Sequence, residues 1–362
     1  MKPFLTRIAA ASAALMAGLL VAGCGGGATA DTTPKFSPGS VVSFGDSLSD
    51  QGTYQVGTVA ALGGGQYTVN GVGPSWLARI AALYGLAKPC PAQQGLDGLA
   101  SQGFSVPVKN NAGCFAYGQG GSRVTNPVGP GNKLLGGSNA VLGQLTVPVV
   151  TQLQNHLAAV GGSYKGTELV FVYAGGNDVF INLATVQATI AAGGDPTAAA
   201  TAGVTAMGQA GAELAGYVKA LVVGKGAKNV VVINLPDVSL TPFAKSLPAA
   251  TQGLILQMVN TFNDQLKGGL SGTDLVWVDA AQGVRDEIAN PAKYSLANVT
   301  MPACDLSPAK NPLASSLVCN ANNVVAGDVS HYLFADTVHP TPYGEQLLSQ
   351  AVSLELARKG WL

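Results

Sequence analysis

Charge is scarce in this chain. Only 10% of its residues are Asp, Glu, Lys or Arg, and 19 basic side chains balance 19 acidic ones. Without a basic excess there is no electrostatic footprint for nucleic acid, so no nucleic-acid partner is expected. Histidine is also rare, with three in the chain. No C-x-x-C pair occurs and the histidines do not cluster with the cysteines, which argues against a zinc site. Beyond the N-terminus no apolar run approaches the length that crosses a membrane. No internal repeat is visible, so a repeat architecture is set aside. What is abundant is glycine, 48 residues, in a chain that is 47% hydrophobic. With 362 residues it is long enough to bury one large core beneath many loops.

The N-terminus has the pattern of a targeting segment. Lys2 and Arg7 precede the apolar stretch Ile8 to Ala22, which is short for a membrane span. Val21-Ala22-Gly23-Cys24 resembles a bacterial lipobox. That resemblance implies a signal peptide over residues 1–23 and a lipidated Cys24. Residues 24–38 are then a flexible Gly/Thr/Pro tether to a single domain over 39–362. Gly25, rather than Asp, follows the cysteine, and by resemblance to sorted lipoproteins this favours the outer membrane. The expected location is therefore outside the cytoplasm, with the membrane as a partner through the anchor. Four cysteines remain, Cys90, Cys114, Cys304 and Cys319, and an even count in an exported chain points to disulfides. Three pairings are possible. Nearest-neighbour pairing would staple one loop-rich segment with each bridge.

Short runs of Val, Ile and Leu alternate with longer helical patterns. Strands are expected at Val41–Phe44, Glu168–Tyr173, Asn229–Leu235 and Leu275–Val278, each nearly continuous in apolar residues as buried parallel strands are. Helices are expected near Ser75–Leu86, Pro148–Val160, Ala198–Val223, Thr251–Leu266 and Pro342–Lys359. The last opens on Thr341-Pro342, a cap residue followed by proline at the first helical position. This alternation predicts an α/β protein with a mostly parallel sheet covered on both faces, a three-layer α/β/α sandwich. Residues 87–140 and 289–330, rich in Gly, Pro, Asn and Ser, break the alternation and are expected as long loops inserted at the sheet edges.

Ligands of open parallel sheets bind at the carboxyl ends of the strands. Gly45-Asp46-Ser47-Leu48 follows the first strand, and Gly175-Gly176-Asn177-Asp178 follows the second. Between them lies Tyr117-Gly118-Gln119-Gly120-Gly121-Ser122, and near the end Asp336 stands three residues before His339. A serine hydroxyl is a weak nucleophile that needs a base, and the base gains from an orienting carboxylate. A tetrahedral oxyanion needs hydrogen-bond donors. Ser47, His339, Asp336, the Gly121 N–H and the Asn177 amide supply these parts.

Taken in order, the four segments resemble the four blocks of the SGNH hydrolases, whose GDSL signature matches Gly45–Leu48. The resemblance extends from residue 41 to about 350. It implies a flavodoxin-like fold, Ser47 as nucleophile, Asp336 and His339 as its acid and base, and an oxyanion hole built by Ser47, Gly121 and Asn177. It implies hydrolysis of carboxylic esters through an acyl-enzyme, with no cofactor and no metal. The substrate is a small-molecule or lipid ester. Phospholipase, lipid acyltransferase or carbohydrate acetylesterase activity would use the same parts, and a non-enzymatic surface lipoprotein is the reading from another class. The chain departs from the family pattern at Ala116, Gly118 and Ala335; the last stands where many relatives have tryptophan. Gly120 is the rival to Gly121, although the double glycine aligns on Gly121.

Each residue also has a plainer reading. Asp336 and His339 alone suit a polar loop before a helix. His331 is the rival base, and His156 is expected at a surface or boundary position. Asp46 is expected to hold its turn, Asp178 to cap a helix, and Arg123 to form an ordinary surface ion pair.

Overall fold

The protein is described by a computed structural model over residues 36–362. The expected signal segment, Cys24 and most of the tether lie outside the described residues. Eight strands occur within them: β1 (Ser40–Gly45), β2 (Gln93–Asp97), β3 (Ser105–Asn110), β4 (Glu168–Tyr173), β5 (Asn229–Ile233), β6 (Val276–Val278), β7 (Asn298–Pro302) and β8 (Tyr332–Phe334). The α-helices are α1 (Gly57–Ala61), α2 (Trp76–Leu83), α3 (Gly137–Leu142), α4 (Val149–Ala159), α5 (Gly176–Ala191), α6 (Pro196–Tyr217), α7 (Pro242–Lys245), α8 (Ala249–Gly269), α9 (Ala280–Ala289) and α10 (Pro342–Arg358).

The central sheet runs β1-β4-β5-β6 and is parallel throughout. Alternate residues of its strands face opposite ways, and because both sets are apolar the sheet is coated twice. Val42, Phe44, Val170, Val172, Val230 and Val232 pack into one core with α4, α5, α6 and α8. Val41, Leu169, Phe171, Tyr173, Val231 and Ile233 pack into another with Trp76, Leu77 and Ile80 of α2 and Val352 and Leu356 of α10. Full burial of each such side chain contributes roughly 1.5–3 kcal/mol. The three-layer sandwich expected from the alternation is therefore present.

The four expected strands form this sheet, although β5 stops at Ile233, two residues short of the expected end. The five expected helices are present as α2, α4, α6, α8 and α10, and α1, α3, α5, α7 and α9 add to them. The two inserted segments differ from expectation. The first contains the antiparallel hairpin β2–β3 and the second contains β7, which pairs with β8. The two also meet each other: Leu96 and Phe104 from the first and Leu317 and Val318 from the second share an apolar cluster with Tyr54 and Tyr67. Disulfides Cys90–Cys114 and Cys304–Cys319 close loops of 24 and 15 residues, the nearest-neighbour pairing. Loop closure of this size stabilises by about 3 kcal/mol per bridge in the chain-entropy account.

Candidate active site

β1 ends in a turn that its own packing forces. A Cβ on Gly45 would stand 2.0 Å from the Tyr173 carbonyl oxygen of β4, so only glycine lets the two strands approach here. Gln152 of α4 clamps the same residue from the side. Its side-chain oxygen accepts from Gly45 N–H at 2.9 Å, and its amide donates to the Gly45 carbonyl at 2.8 Å. Asp46 is buried and accepts from Leu48 N–H at 3.1 Å, which caps the single 3₁₀ turn Ser47–Ser49. Burial pushes its carboxyl up to about 6, against the pull of the Leu48 N–H and of His339. Asp46 thus holds the turn, as expected, and Ser47 is left partly exposed at the carboxyl edge of the sheet.

Asp336 and His339 lie between β8 and α10. Asp336 Oδ1 accepts from the N–H groups of Val338 and His339, both at 2.8 Å, and Oδ2 accepts from Ser316 N–H at 2.8 Å. Its carboxylate also faces His339 Nδ1 at 2.8 and 3.0 Å. Burial alone would raise the Asp336 pKa, but the His339 charge and these donors outweigh it and hold the carboxyl far below the usual range. An ionised carboxylate only accepts, so in neutral His339 the proton sits on Nδ1 and Nε2 is left as the acceptor. Nε2 lies 2.8 Å from Ser47 Oγ. For His339, burial works against the charged form, yet the Asp336 carboxylate prevails and the net shift is upward.

Three donors converge beside Ser47. Gly120 N–H is already taken by the buried carboxylate of Asp50 at 2.9 Å. Gly121 N–H has no acceptor among the described residues, and Gly121 lines the cleft with Ser47, Asn177 and His339. This favours Gly121 over Gly120. Its backbone sits at φ +81°, and a Cβ there would lie 2.1 Å from the Pro130 carbonyl oxygen, so glycine is required. Asn177 stands in the first turn of α5, directly after β4, and donates one amide hydrogen to the Ser122 carbonyl at 2.8 Å. That bond aims the side chain and leaves its second hydrogen unspent. The Ser47 N–H likewise has no acceptor among the described residues. The cleft above has a volume of about 510 Å³, with apolar walls that include Phe180, Leu183, Phe243 and Val338. Tyr67 covers His339, ring centroids 4.8 Å apart.

Several plainer expectations are corrected. His156 is no boundary residue: it is 1% exposed and packed among Phe44, Phe115, Tyr117 and Tyr164. Its helix brings it inward because Val149, Gln152, Leu153 and His156 share one face. Asp178 does not cap α5; its carboxylate is buried against Arg123 Nε at 2.9 Å and Val124 N–H at 3.0 Å. That makes the Arg123 ion pair a part-buried brace between the second and third blocks. Ala335, where many relatives have tryptophan, is fully buried in a cluster with Cys304 and Cys319. His331 is spent elsewhere, on the Ser295 carbonyl at 2.7 Å and a stack on Tyr343. Gln152, Asp50 and the Ser316 N–H were not anticipated. None has a local signature: Gln152 is one polar residue in a helical pattern, and Ser316 acts through its backbone.

Fold and site together define a hydrolase-type α/β protein. The chain belongs to the GDSL-like lipase/acylhydrolase family, whose model matches residues 41–352. Two proteins of Arabidopsis thaliana, each named a GDSL esterase/lipase, are similar over shorter stretches. One is 24% identical over 27% of this chain and 26% of its own length; the other is 26% identical over 34% and 36%. The chain thus spans about a quarter to a third of the length of these curated relatives. Among solved structures, LAE5, an alpha/beta hydrolase enzyme from the metagenome of Lake Arreo, Spain, aligns with a TM-score of 0.42 at 13% identity, over 89% of this chain and 97% of its own.

Proposed function

We propose that the protein hydrolyses carboxylic esters with Ser47 as nucleophile. His339 Nε2 takes the Ser47 proton as Oγ attacks the ester carbonyl. The negative charge that develops on the carbonyl oxygen is received by the N–H groups of Ser47 and Gly121 and by the Asn177 amide. Asp336 keeps the His339 ring in register and stabilises its charged form. His339 then gives its proton to the leaving alkoxide, which departs as the alcohol. Water, deprotonated by the same nitrogen, cleaves the acyl-enzyme to carboxylic acid and free serine. The observation that carries this reading is the unbroken series Ser47 Oγ, His339 Nε2, His339 Nδ1, Asp336, at 2.8 Å for both steps, beside three donors with capacity to spare.

The apolar walls of the cleft support an apolar acyl or alcohol group. The two disulfides support an oxidising location, consistent with an exported chain anchored through Cys24. The test is direct. Purified Ser47→Ala protein, folded by circular dichroism, must lose p-nitrophenyl ester hydrolysis and labelling by a fluorophosphonate probe. Turnover at the wild-type rate would remove the assignment.

A further inference from the structure

The cleft is not the only space that reaches the nucleophile. A small cavity of about 50 Å³ lies beneath Ser47, and Asn177 and His339 line it as well. Leu48, Pro236, Thr241 and Val338 form its far side, and the same four residues wall a further cavity of about 90 Å³. This outer cavity lies beyond the carboxyl ends of β5 and β6, under α9 and α10. It meets a surface depression at Asp279, Gly283 and Ala351. Three spaces thus lie in series from the reaction centre along the sheet edge to the outside, each sharing wall residues with the next.

The outer cavity is apolar where it matters. Leu48, Leu333, Phe334 and Leu348 supply walls. Two of its carboxylates are already matched: Asp237 pairs with Arg285 at 2.6 Å, and Asp279 accepts from Gln282 N–H and the Asn234 amide. Glu287 is half-buried and makes no hydrogen bond within the described residues, and burial pushes its carboxyl up to about 7. At neutral pH a large share of it is uncharged and tolerates an apolar neighbour. Voids of this size are few in a close-packed domain, and apolar ones hold hydrocarbon rather than water.

We propose that the outer cavity is a specificity subsite for a short alkyl arm of the ester, with Gly283 and Ala351 setting its depth. The proposal rests on the esterase reading above. An apolar cavity of about 150 Å³ holds a benzene ring, so 90 Å³ fits an arm of roughly three to four carbons. Each methylene buried there favours binding by about fourfold. Gly283 is the position to alter. A Cβ built on it meets nothing within 4 Å, and it lies within α9, where any residue but proline is a better helix former.

The experiment compares wild type, Gly283→Leu and Ala351→Leu on two ester series. One series varies the acyl chain of p-nitrophenyl esters from two to four to eight carbons. The other varies the alcohol of acetate esters from methyl to butyl. In wild type, kcat/KM is expected to rise by about 16-fold on adding two methylenes, or about 64-fold on adding three, in one of the series, which identifies the arm as acyl or alcohol. Both variants should lose that gain, keep the rate on the shortest ester within about twofold, and unfold at or above the wild-type temperature. The proposal is overturned if wild type shows no such gain, if either variant retains it, or if the shortest ester suffers as much as the longer ones. A wild type with no ester hydrolysis at all would instead overturn the esterase reading.

Discussion

His339 and His156 are the same side chain in opposite circumstances. His339 has a partner on each nitrogen, Asp336 on Nδ1 and Ser47 on Nε2, and its net pKa shift is upward. His156 is the more deeply buried, yet neither nitrogen has a partner among the described residues. Aromatic rings surround it, and burial pulls its pKa down to about 4, only partly resisted by Glu168. Glu168 does not direct a His156 nitrogen as Asp336 directs His339; one of its oxygens takes Lys165 N–H and the other is unpaired. The difference shows what burial alone does to a histidine and what a partner changes. Burial lowers the pKa of His156, whereas a carboxylate locked by several backbone N–H groups raises that of His339 and turns its far nitrogen toward a hydroxyl.

The largest effect comes from breaking each histidine in turn. His339→Ala should lower kcat/KM for ester hydrolysis by at least about 10⁴-fold, as loss of a triad base does elsewhere. His156→Leu should stay within about twofold of wild type on the same substrate. Equal losses in a steady-state assay would show that the contrast is misplaced.

Asp336→Asn sharpens the same contrast by removing what His156 lacks. A drop of about 10⁴-fold in kcat/KM is expected, because the amide can present the wrong hydrogen-bonding face to Nδ1. The pH profile carries independent information. A raised His339 pKa means that wild-type kcat/KM falls, as the pH is lowered, through a midpoint above the ordinary 6.5. Without the Asp336 charge the residual activity should fall at lower pH. An unmoved acid limb would show that Asp336 does not set the charge on His339.

The site blocks were legible because each is local. Glycine before Asp46-Ser47, the Gly176-Asn177 turn and the three-residue Asp336–His339 spacing all sit on single turns at strand ends. The sheet was legible for a related reason: its strands are buried on both faces and so are nearly unbroken Val, Ile and Leu. The hairpin β2–β3 was not, because Ser105–Asn110 is almost wholly exposed, contains Pro107 and carries no alternation to detect. The supports of the site were hidden as well. Ser316 reaches Asp336 from 20 residues away with a backbone N–H, which side-chain identity does not encode. His156 was legible in principle, since its spacing from Val149 and Leu153 places it on the buried face. A polar side chain in a surface helix ordinarily faces solvent, but at His156 the helical period decides instead.

The smallest effect is thermodynamic and belongs to His156 alone. In the unfolded chain this ring titrates near 6.5, and in the folded protein near 4. Between those values the unfolded state binds the extra proton and the folded state does not, so stability drains away as the pH falls from about 6.5 toward 4. By pH 5 the loss is roughly 2 kcal/mol, which lowers the melting temperature by several degrees. Other groups act in the opposite sense. Asp46 and Asp50 are raised to about 6 and Glu345 to about 7, mainly by burial, so each binds its proton more readily in the folded state and favours folding as the pH falls. The wild-type curve mixes both signs, and only a difference isolates the histidine. His156→Leu removes two unmatched ring nitrogens and keeps an apolar side chain among the aromatics, so at pH 7.5 its stability should lie within about 1 kcal/mol of wild type. On acidification to pH 5 the variant should become the more stable of the two, by the roughly 2 kcal/mol that wild type spends keeping His156 neutral. Parallel denaturation midpoints for the two proteins from pH 7.5 to 5 would mean that His156 is protonated in the folded state, and the contrast with His339 would fail.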